Sequence, residues 1–428
     1  MGEKLAARVE KKATEPEKPE GPPPRGMARR VVAELLALEE ALERVLGRVR
    51  PLAPETVPLE HAAGGVLAVA ARAVADLPPF ASSAMDGYAL RASDTPGALP
   101  VVLRVAAGSP ATEALPAHAA AAIATGGVVP EGADTVVPIE NAGETNARVE
   151  IPDAAAPGAH IRPRGGDVSA GETVVEAGRR LGAAQIGALA AAGVPHVECA
   201  RRPTVAVLAT GSELRSPGEH LGPGQIYESN RVLIATVLAT ADAVVEQLPV
   251  VADEPDAHAR ALEHGLAADV LVSSGGVSVG PHDLVRQTAA ELGVEEVFWG
   301  VAVKPGRPVS FGVRGDTLVF GLPGNPVSSL VGSLLFVRPA VLALQGLADP
   351  RPEFQSGQTP VALRRNPARD EFLRASRHFE DDGVLLEPVF GQESHMIVRA
   401  ALADALVHVP RGSGEIAAGA SVRYLALA

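Results

Sequence analysis

The chain has 428 residues, room for two to four domains at about 100–200 residues each. Hydrophobic residues at 46% and charged residues at 21% are globular proportions that exclude a wholly disordered chain, and 38 Lys plus Arg against 51 Asp plus Glu gives −13, without the footprint of a general nucleic-acid binder. The lone Cys199 excludes an intramolecular disulfide, a thiolate zinc cluster and an iron–sulfur site.

Residues 1–26 are charged and proline-rich, ending in Gly21-Pro22-Pro23-Pro24, and are expected to form a disordered tail; Met27 is a second candidate start. From Val31 to Val49, Leu35, Leu38, Leu42, Val45, Leu46 and Val49 recur at helical spacing, and Pro51 and Pro54 end the pattern. A second helical pattern runs from Leu59 to Val74. Between Gly87 and Ile161 short alternating runs are punctuated by Gly and Pro, which reads as strands, and helical spacing returns at Ala183 to Ala192. The expected arrangement is an N-terminal elongated domain (27–86 and 162–200) carrying an inserted β-rich domain (87–161).

From Thr204 to Gly346 short apolar runs alternate with helical patterns. Strands are expected at Val205–Ala209, Val244–Val251, Asp269–Ser273 and Val297–Val303, with a hairpin at Val309–Phe320. Helices are expected at Asn230–Ala241, Pro255–Leu266, Asp283–Leu292 and Val327–Leu344. This is the signature of βαβ units and a mostly parallel three-layer α/β domain, 201–347. The remainder, 348–428, has alternating apolar runs and no long helix, so a small β domain closes an α/β multidomain chain. The best apolar stretch, Val327 to Leu344, is interrupted by Arg338 and Pro339, and no signal-peptide pattern occurs. A soluble, cytoplasmic protein with no membrane or nucleic-acid partner is expected.

Ligands of open α/β sheets bind beyond the carboxyl ends of the strands. There the sequence places Thr210-Gly211-Ser212-Glu213, Asp253-Glu254, Ser274 through Asp283, Lys304-Pro305-Gly306-Arg307-Pro308 and Gly321-Leu322-Pro323-Gly324-Asn325-Pro326. The Ser273-Ser274-Gly275-Gly276 loop suits an oxyanion held by backbone N–H groups. Glu213, Asp253 and Asp283 suit a hard cation such as Mg²⁺, and Lys304 with Arg307 suits a second anion. Together they are the minimum for phosphoryl or pyrophosphate chemistry. Gly276-Val277-Ser278-Val279-Gly280 matches a hydrolase nucleophile elbow, but the strand ends near Ser273 and Pro281 precedes the helix, which argues against it.

Seven segments carry a resemblance: Ser83-Ala84-Met85-Asp86-Gly87-Tyr88-Ala89, Ala124-Thr125-Gly126-Gly127, Gly132 to Val137, Thr210 to Leu214, Ser273 to Gly280, Lys304 to Pro308 and Gly321 to Ser328. In this order, across about residues 30–428, the chain resembles the molybdopterin molybdenumtransferases, relatives of the gephyrin E domain. The resemblance implies a four-domain elongated homodimer with an intersubunit site, which binds adenylylated molybdopterin with Mg²⁺, inserts molybdate and releases AMP.

By that resemblance Asp86 and Thr125 line the site from the inserted module. Glu213, Asp253, Asp283 and Lys304 complete its catalytic set, with Glu213 and Asp283 as metal ligands. Ser274, Gly275, Gly276, Ser278, Arg307, Pro326 and Ser328 are substrate-binding, joined by Arg374 and Ser394 from the last domain; Lys304, Arg307 and Ser328 form the molybdate pocket. Two positions depart from the family pattern. Gly300 follows Trp299 where relatives often carry Lys or Arg, and Arg307 stands where Lys is common. A molybdopterin adenylyltransferase, whose fold resembles the α/β domain alone, and a non-enzymatic scaffold are the alternatives.

Overall fold

The protein is described by a computed structural model over residues 35–252, 254–276, 284–381 and 383–427. Asp253, Ser278 and Asp283, and the N-terminal tail, lie outside these residues.

The inserted segment forms a six-stranded sheet in the order Thr135–Pro138, Gly87–Leu90, Ala120–Ile123, Gly97–Val105, Arg148–Ile151, Gly143–Thr145. Alternating strand residues feed two small cores, one around Tyr88, Leu90 and Val149, the other around Ala89, Ala121 and Val136. Beside it, Pro54–Pro58 pairs antiparallel with His196–Ala200. The expected helix from Leu59 to Val74 does not form. A 3₁₀ turn at Leu59–His61 runs into Gly64 at φ +85°, and Ala71–Arg72 then pairs with Thr173–Val175. The left-handed glycine stops the helix, so Leu67 reaches its core from extended chain.

The α/β sheet has the order Val244–Gln247, Thr204–Ala209, Val270–Ser274, Thr317–Leu322, Ser310–Arg314, Glu295–Trp299. Its first three ladders are parallel and its last two antiparallel. Val205, Val207, Val272 and Phe320 point to one face, against helices Asn230–Ala239 and 326–344. Ala206, Leu208, Leu271 and Val319 point to the other, against Pro255–Gly265 and Leu284–Glu291. Burial on both faces is why these strands read as continuous apolar runs. Leu38, Ala41, Leu42 and Val45 of the first helix, Leu38–Leu46, join the first face, although the sequence groups them with the N-terminal domain.

Helix 326–344 is continuous but not uniform: α-helical turns flank a π segment at Ser333–Val337 just before Pro339. Proline has no N–H for the ladder, and the wider turn absorbs the mismatch. The helix is long and apolar enough to cross a bilayer, yet most of it is buried within the fold.

The expected strand Val297–Val303 is two strands. Glu295–Trp299 ends the α/β sheet, Gly300 turns the chain at φ +89°, and Val303–Lys304 pairs in parallel with Asp370–Glu371 of the last domain. The five other strands of that sheet close on themselves through the pairing of Asp370–Glu380 with Ala405–Val409, making a small barrel around Leu386, Val407, Val422 and Tyr424.

Candidate active site

A cavity of about 840 Å³ lies at the carboxyl ends of the parallel strands. Thr210, Gly211 and Glu213 line it after the first strand, Ser274, Gly275 and Gly276 after the third, and Pro323 to Pro326 after the last parallel strand. The glycines are there for closeness. At Gly275, φ is +93° and a Cβ would stand 2.8 Å from the Thr210 carbonyl oxygen. Among the described residues Thr210 Oγ1, buried beneath Gly275 and Gly276, has no hydrogen-bond partner.

Under the rim runs one oriented hydrogen-bond chain. Asn230, at the start of its helix, donates through Nδ2 to the Gly324 carbonyl (2.7 Å) and to Ser274 Oγ (2.8 Å). A carbonyl accepts only, so this fixes which way the amide faces. Ser274 Oγ lies 3.3 Å from Ser329 Oγ, which donates to the Pro323 carbonyl at 2.5 Å. Three buried side chains thereby hold the Pro323-Gly324 turn over the strand ends. Asn325 Nδ2 ties the same turn to Ser394 Oγ (2.9 Å), and the Val327 N–H donates to the Ser394 carbonyl (3.1 Å). Glu228 is buried on the cavity wall, bound to the backbone N–H (2.8 Å) and Nε (3.0 Å) of Arg231, so its charge is spent.

The Lys304–Pro308 loop flanks this wall. A Cβ at Gly306 would lie 3.7 Å from the Ser328 carbonyl oxygen, so the loop packs on the first turn of helix 326–344. Arg307 is exposed, and Lys304 Nζ is paired with Glu371 Oε1 at 3.1 Å.

On the inserted module, Asp86 and Thr125 meet directly. The Thr125 backbone N–H donates to Asp86 Oδ1 at 2.6 Å and its hydroxyl to the same oxygen at 2.9 Å. The N–H first, and then the hydroxyl, hold the Asp86 carboxyl below its ordinary pKa. The carboxylate is therefore an exposed, charged acceptor with one oxygen uncommitted among the described residues. Neither residue lines the cavity of its own chain.

Three family models match in chain order: the MoeA N-terminal region (domain I and II) over residues 36–193, a probable molybdopterin binding domain over 206–343, and the MoeA C-terminal region (domain IV) over 356–427. A Mycobacterium tuberculosis protein named molybdopterin molybdenumtransferase 2 is 37% identical over 403 residues, covering 90% of this chain and 98% of its own. This chain belongs to the molybdopterin molybdenumtransferase family. A Nostoc member is 35% identical over 386 residues, covering 87% of this chain and 88% of its own. Two solved structures of the moeA molybdopterin biosynthesis protein of Pyrococcus horikoshii superpose with TM-scores of 0.80 and 0.77, at 27% and 31% identity, over 92% of this chain and 100% and 99% of theirs.

Within the transferase frame, Glu213, Ser274, Gly275, Gly276 and Pro326 stand on one cavity, with Lys304, Arg307 and Ser328 on the adjoining loop and helix turn. Asp86 and Thr125 form a separate pair. Arg374, expected as an oxyanion contact, is 0% exposed, and its guanidinium donates to the carbonyls of Met396 (2.6 Å), Gly391 (2.7 Å) and Glu393 (3.2 Å) and through Nε to Gln392 Oε1 (3.4 Å). These bonds support the 391–396 loop that carries Ser394. Gly300, the missing cation of the family pattern, sits at a positive φ that a lysine side chain would strain. Asn230, Ser329 and Glu371 were not singled out by sequence reasoning. Asn230 sits in Glu228-Ser229-Asn230-Arg231, and its polar start to an apolar helix was the available signal.

Among the described residues no three His, Cys, Asp or Glu gather as a metal cluster. The Glu213 carboxylate among carbonyl and hydroxyl oxygens still fits Mg²⁺, which keeps several waters and takes one or two carboxylates plus substrate phosphates.

Proposed function

We propose that this chain is a transferase that inserts molybdenum from molybdate into adenylylated molybdopterin and releases AMP. The observation that carries this reading is the juxtaposition of an oxygen-lined cavity bearing Glu213 with the cationic Lys304-Arg307 loop packed on the turn that carries Ser328. The cavity takes the phosphates and pterin, with Mg²⁺ held by Glu213 together with Asp283, and Asp253 supporting the acidic set. Mg²⁺ supplies charge neutralisation at the pyrophosphate. Ser278 is read as a further substrate-binding residue. Lys304, Arg307 and Ser328 hold the tetrahedral dianion, since cationic and hydroxyl donors match its oxygens.

Because Asp86 and Thr125 do not line the cavity of their own chain, a second copy is their natural recipient, and the reading includes a homodimer with an intersubunit site. The domain boundaries go with it: elongated 27–86 and 162–200, inserted 87–161, α/β 201–347 and barrel 348–428, in the cytoplasm.

The test is AMP release from adenylylated molybdopterin, with and without molybdate and Mg²⁺. Release that needs both, and that falls at least tenfold in Lys304→Met, is expected; formation of adenylylated molybdopterin from ATP instead would overturn the reading. Mixing inactive Asp86→Asn with inactive Lys304→Met probes the shared site. About a quarter of wild-type activity should return if random exchange leaves one intact site per mixed dimer. No recovery in demonstrated mixed dimers would remove the intersubunit site.

A further inference from the structure

Lys304 does not meet the oxyanion site as a free cation. The parallel ladder between Val303–Lys304 and Asp370–Glu371 puts Lys304 directly opposite Glu371 in register. The ladder is locked from the barrel side. The Asp370 N–H donates to the Ala302 carbonyl at 2.8 Å, and Asp370 Oδ1 accepts from His408 Nε2 (2.9 Å) and the Arg411 N–H (3.2 Å). The Glu371 carboxylate is equally constrained. Asn366 donates through Nδ2 to Glu371 Oε1 at 2.9 Å, while its own Oδ1 accepts the Ala368 N–H (3.0 Å) and the Arg369 N–H (3.2 Å). The result is an asymmetric pair, with the Glu371 side chain 12% exposed and held by Asn366, and the Lys304 side chain 52% exposed.

We propose that Glu371 is a positioning residue of the barrel that aims the Lys304 ammonium at the oxyanion pocket and, as a resident counter-ion, weakens the resting affinity of that pocket for a dianion. The inference rests on the oxyanion role given to Lys304 above. Its physical basis is that, among the described residues, the pair leaves Arg307 as the loop's cation without an ion-pair partner. An arriving dianion meets attraction from Lys304 and repulsion from a carboxylate one hydrogen bond further away. Such a pocket releases sulfate and phosphate readily, and it ties the charge of the α/β rim to correct closure of the barrel.

Glu371→Gln keeps an oxygen that accepts from both Lys304 and Asn366 while removing the charge. Titration of the full chain with sodium molybdate should show binding tightened about three- to tenfold, the size of one like-charge repulsion across several ångströms near a surface. The gain should shrink as salt rises. Glu371→Asp keeps the charge on a shorter stem and should give a smaller change of the same sign. In a Lys304→Met background, Glu371→Gln should still tighten binding, because the repulsion is direct, but by less, since the ammonium it would have released is gone. If Lys304→Met weakens molybdate binding while Glu371→Gln leaves it within twofold or weakens it, this inference fails and the oxyanion role of Lys304 stands. If Lys304→Met changes nothing, that oxyanion role fails, and the inference with it.

Discussion

At the residue scale, the site is held by a few shared polar atoms. Asn230 donates to both Ser274 and Gly324, so Asn230→Ala removes two hydrogen bonds and leaves Ser274 Oγ with Ser329 and the Pro323 carbonyl. A loss of about 1–3 kcal/mol is expected in the urea midpoint, and a midpoint equal to wild type would show that the chain does not support the turn. Gly87 follows Asp86 for a different reason from turn geometry: a Cβ there would collide with the carbonyl oxygen of Val137 on the adjacent strand. Gly87→Ala should therefore cost at least ~2 kcal/mol of stability, read by thermal melting. Cys199 is buried, and desolvation first, with the negative charges of Glu198 and Glu55, pushes its thiol up to about 11. A native chain at pH 8 should resist iodoacetamide and react readily once unfolded in urea. Equal rates in the two states would contradict that burial.

At the element scale, the 391–396 loop shows how one side chain stands in for a hydrogen-bonded ladder. Arg374 satisfies three loop carbonyls from inside the barrel, and burial pulls the guanidinium pKa below its usual value. Arg374→Met should cost about 2–5 kcal/mol and open the loop to proteolysis, because the Met396, Gly391 and Glu393 carbonyls all lose a charged donor. A substrate contact would behave otherwise, raising KM at unchanged stability, so a thermal melt and a protease time course separate the two roles. Elements with a clear apolar period were legible, such as Ala183–Ala191 and Pro255–Gly265. The stretch from Leu59 to Val74 had comparable apolar spacing, but Gly64-Gly65 and pairing with a strand about a hundred residues away overrode it.

At the scale of the whole molecule, carboxylates anchor segments that are distant in sequence. Arg201, at the start of the α/β domain, binds Asp269 through two bonds of 2.8 and 2.6 Å, and Asp269 also accepts from the Thr204 N–H and hydroxyl, each at 2.8 Å. Burial alone would raise the Asp269 pKa, but the Arg201 and Thr204 bonds outweigh it and hold the group below its ordinary value. Asp370 follows the same pattern: burial raises it, and His408 with the Arg411 N–H more than reverses this. A carboxyl depressed in the folded state stabilises fully above its unfolded pKa of about 4, and that contribution is lost as pH falls through the folded value. Stability should thus decline below about pH 4. In Asp269→Asn the decline should be shallower, measured as urea midpoint against pH, and an unchanged slope would remove Asp269 from this role.

The residue order by itself determined the alternation of strands and helices from Thr204 to Leu344, because both-face burial writes itself as apolar runs and amphipathic helices as a period. It also placed the Thr210–Glu213, Ser274–Gly276 and Pro323–Pro326 segments at the ends of parallel strands, since a chain entering and leaving a parallel sheet must turn there. What only the tertiary structure decided were matters of partnership across the chain. Arg374 turned inward to carbonyls, Lys304 met Glu371 through a ladder that leaves one sheet for another, and the first helix joined a core built from residues far along the sequence. A residue's type announces what it can bond, but which of several partners it finds depends on contacts between segments whose separation no local pattern encodes.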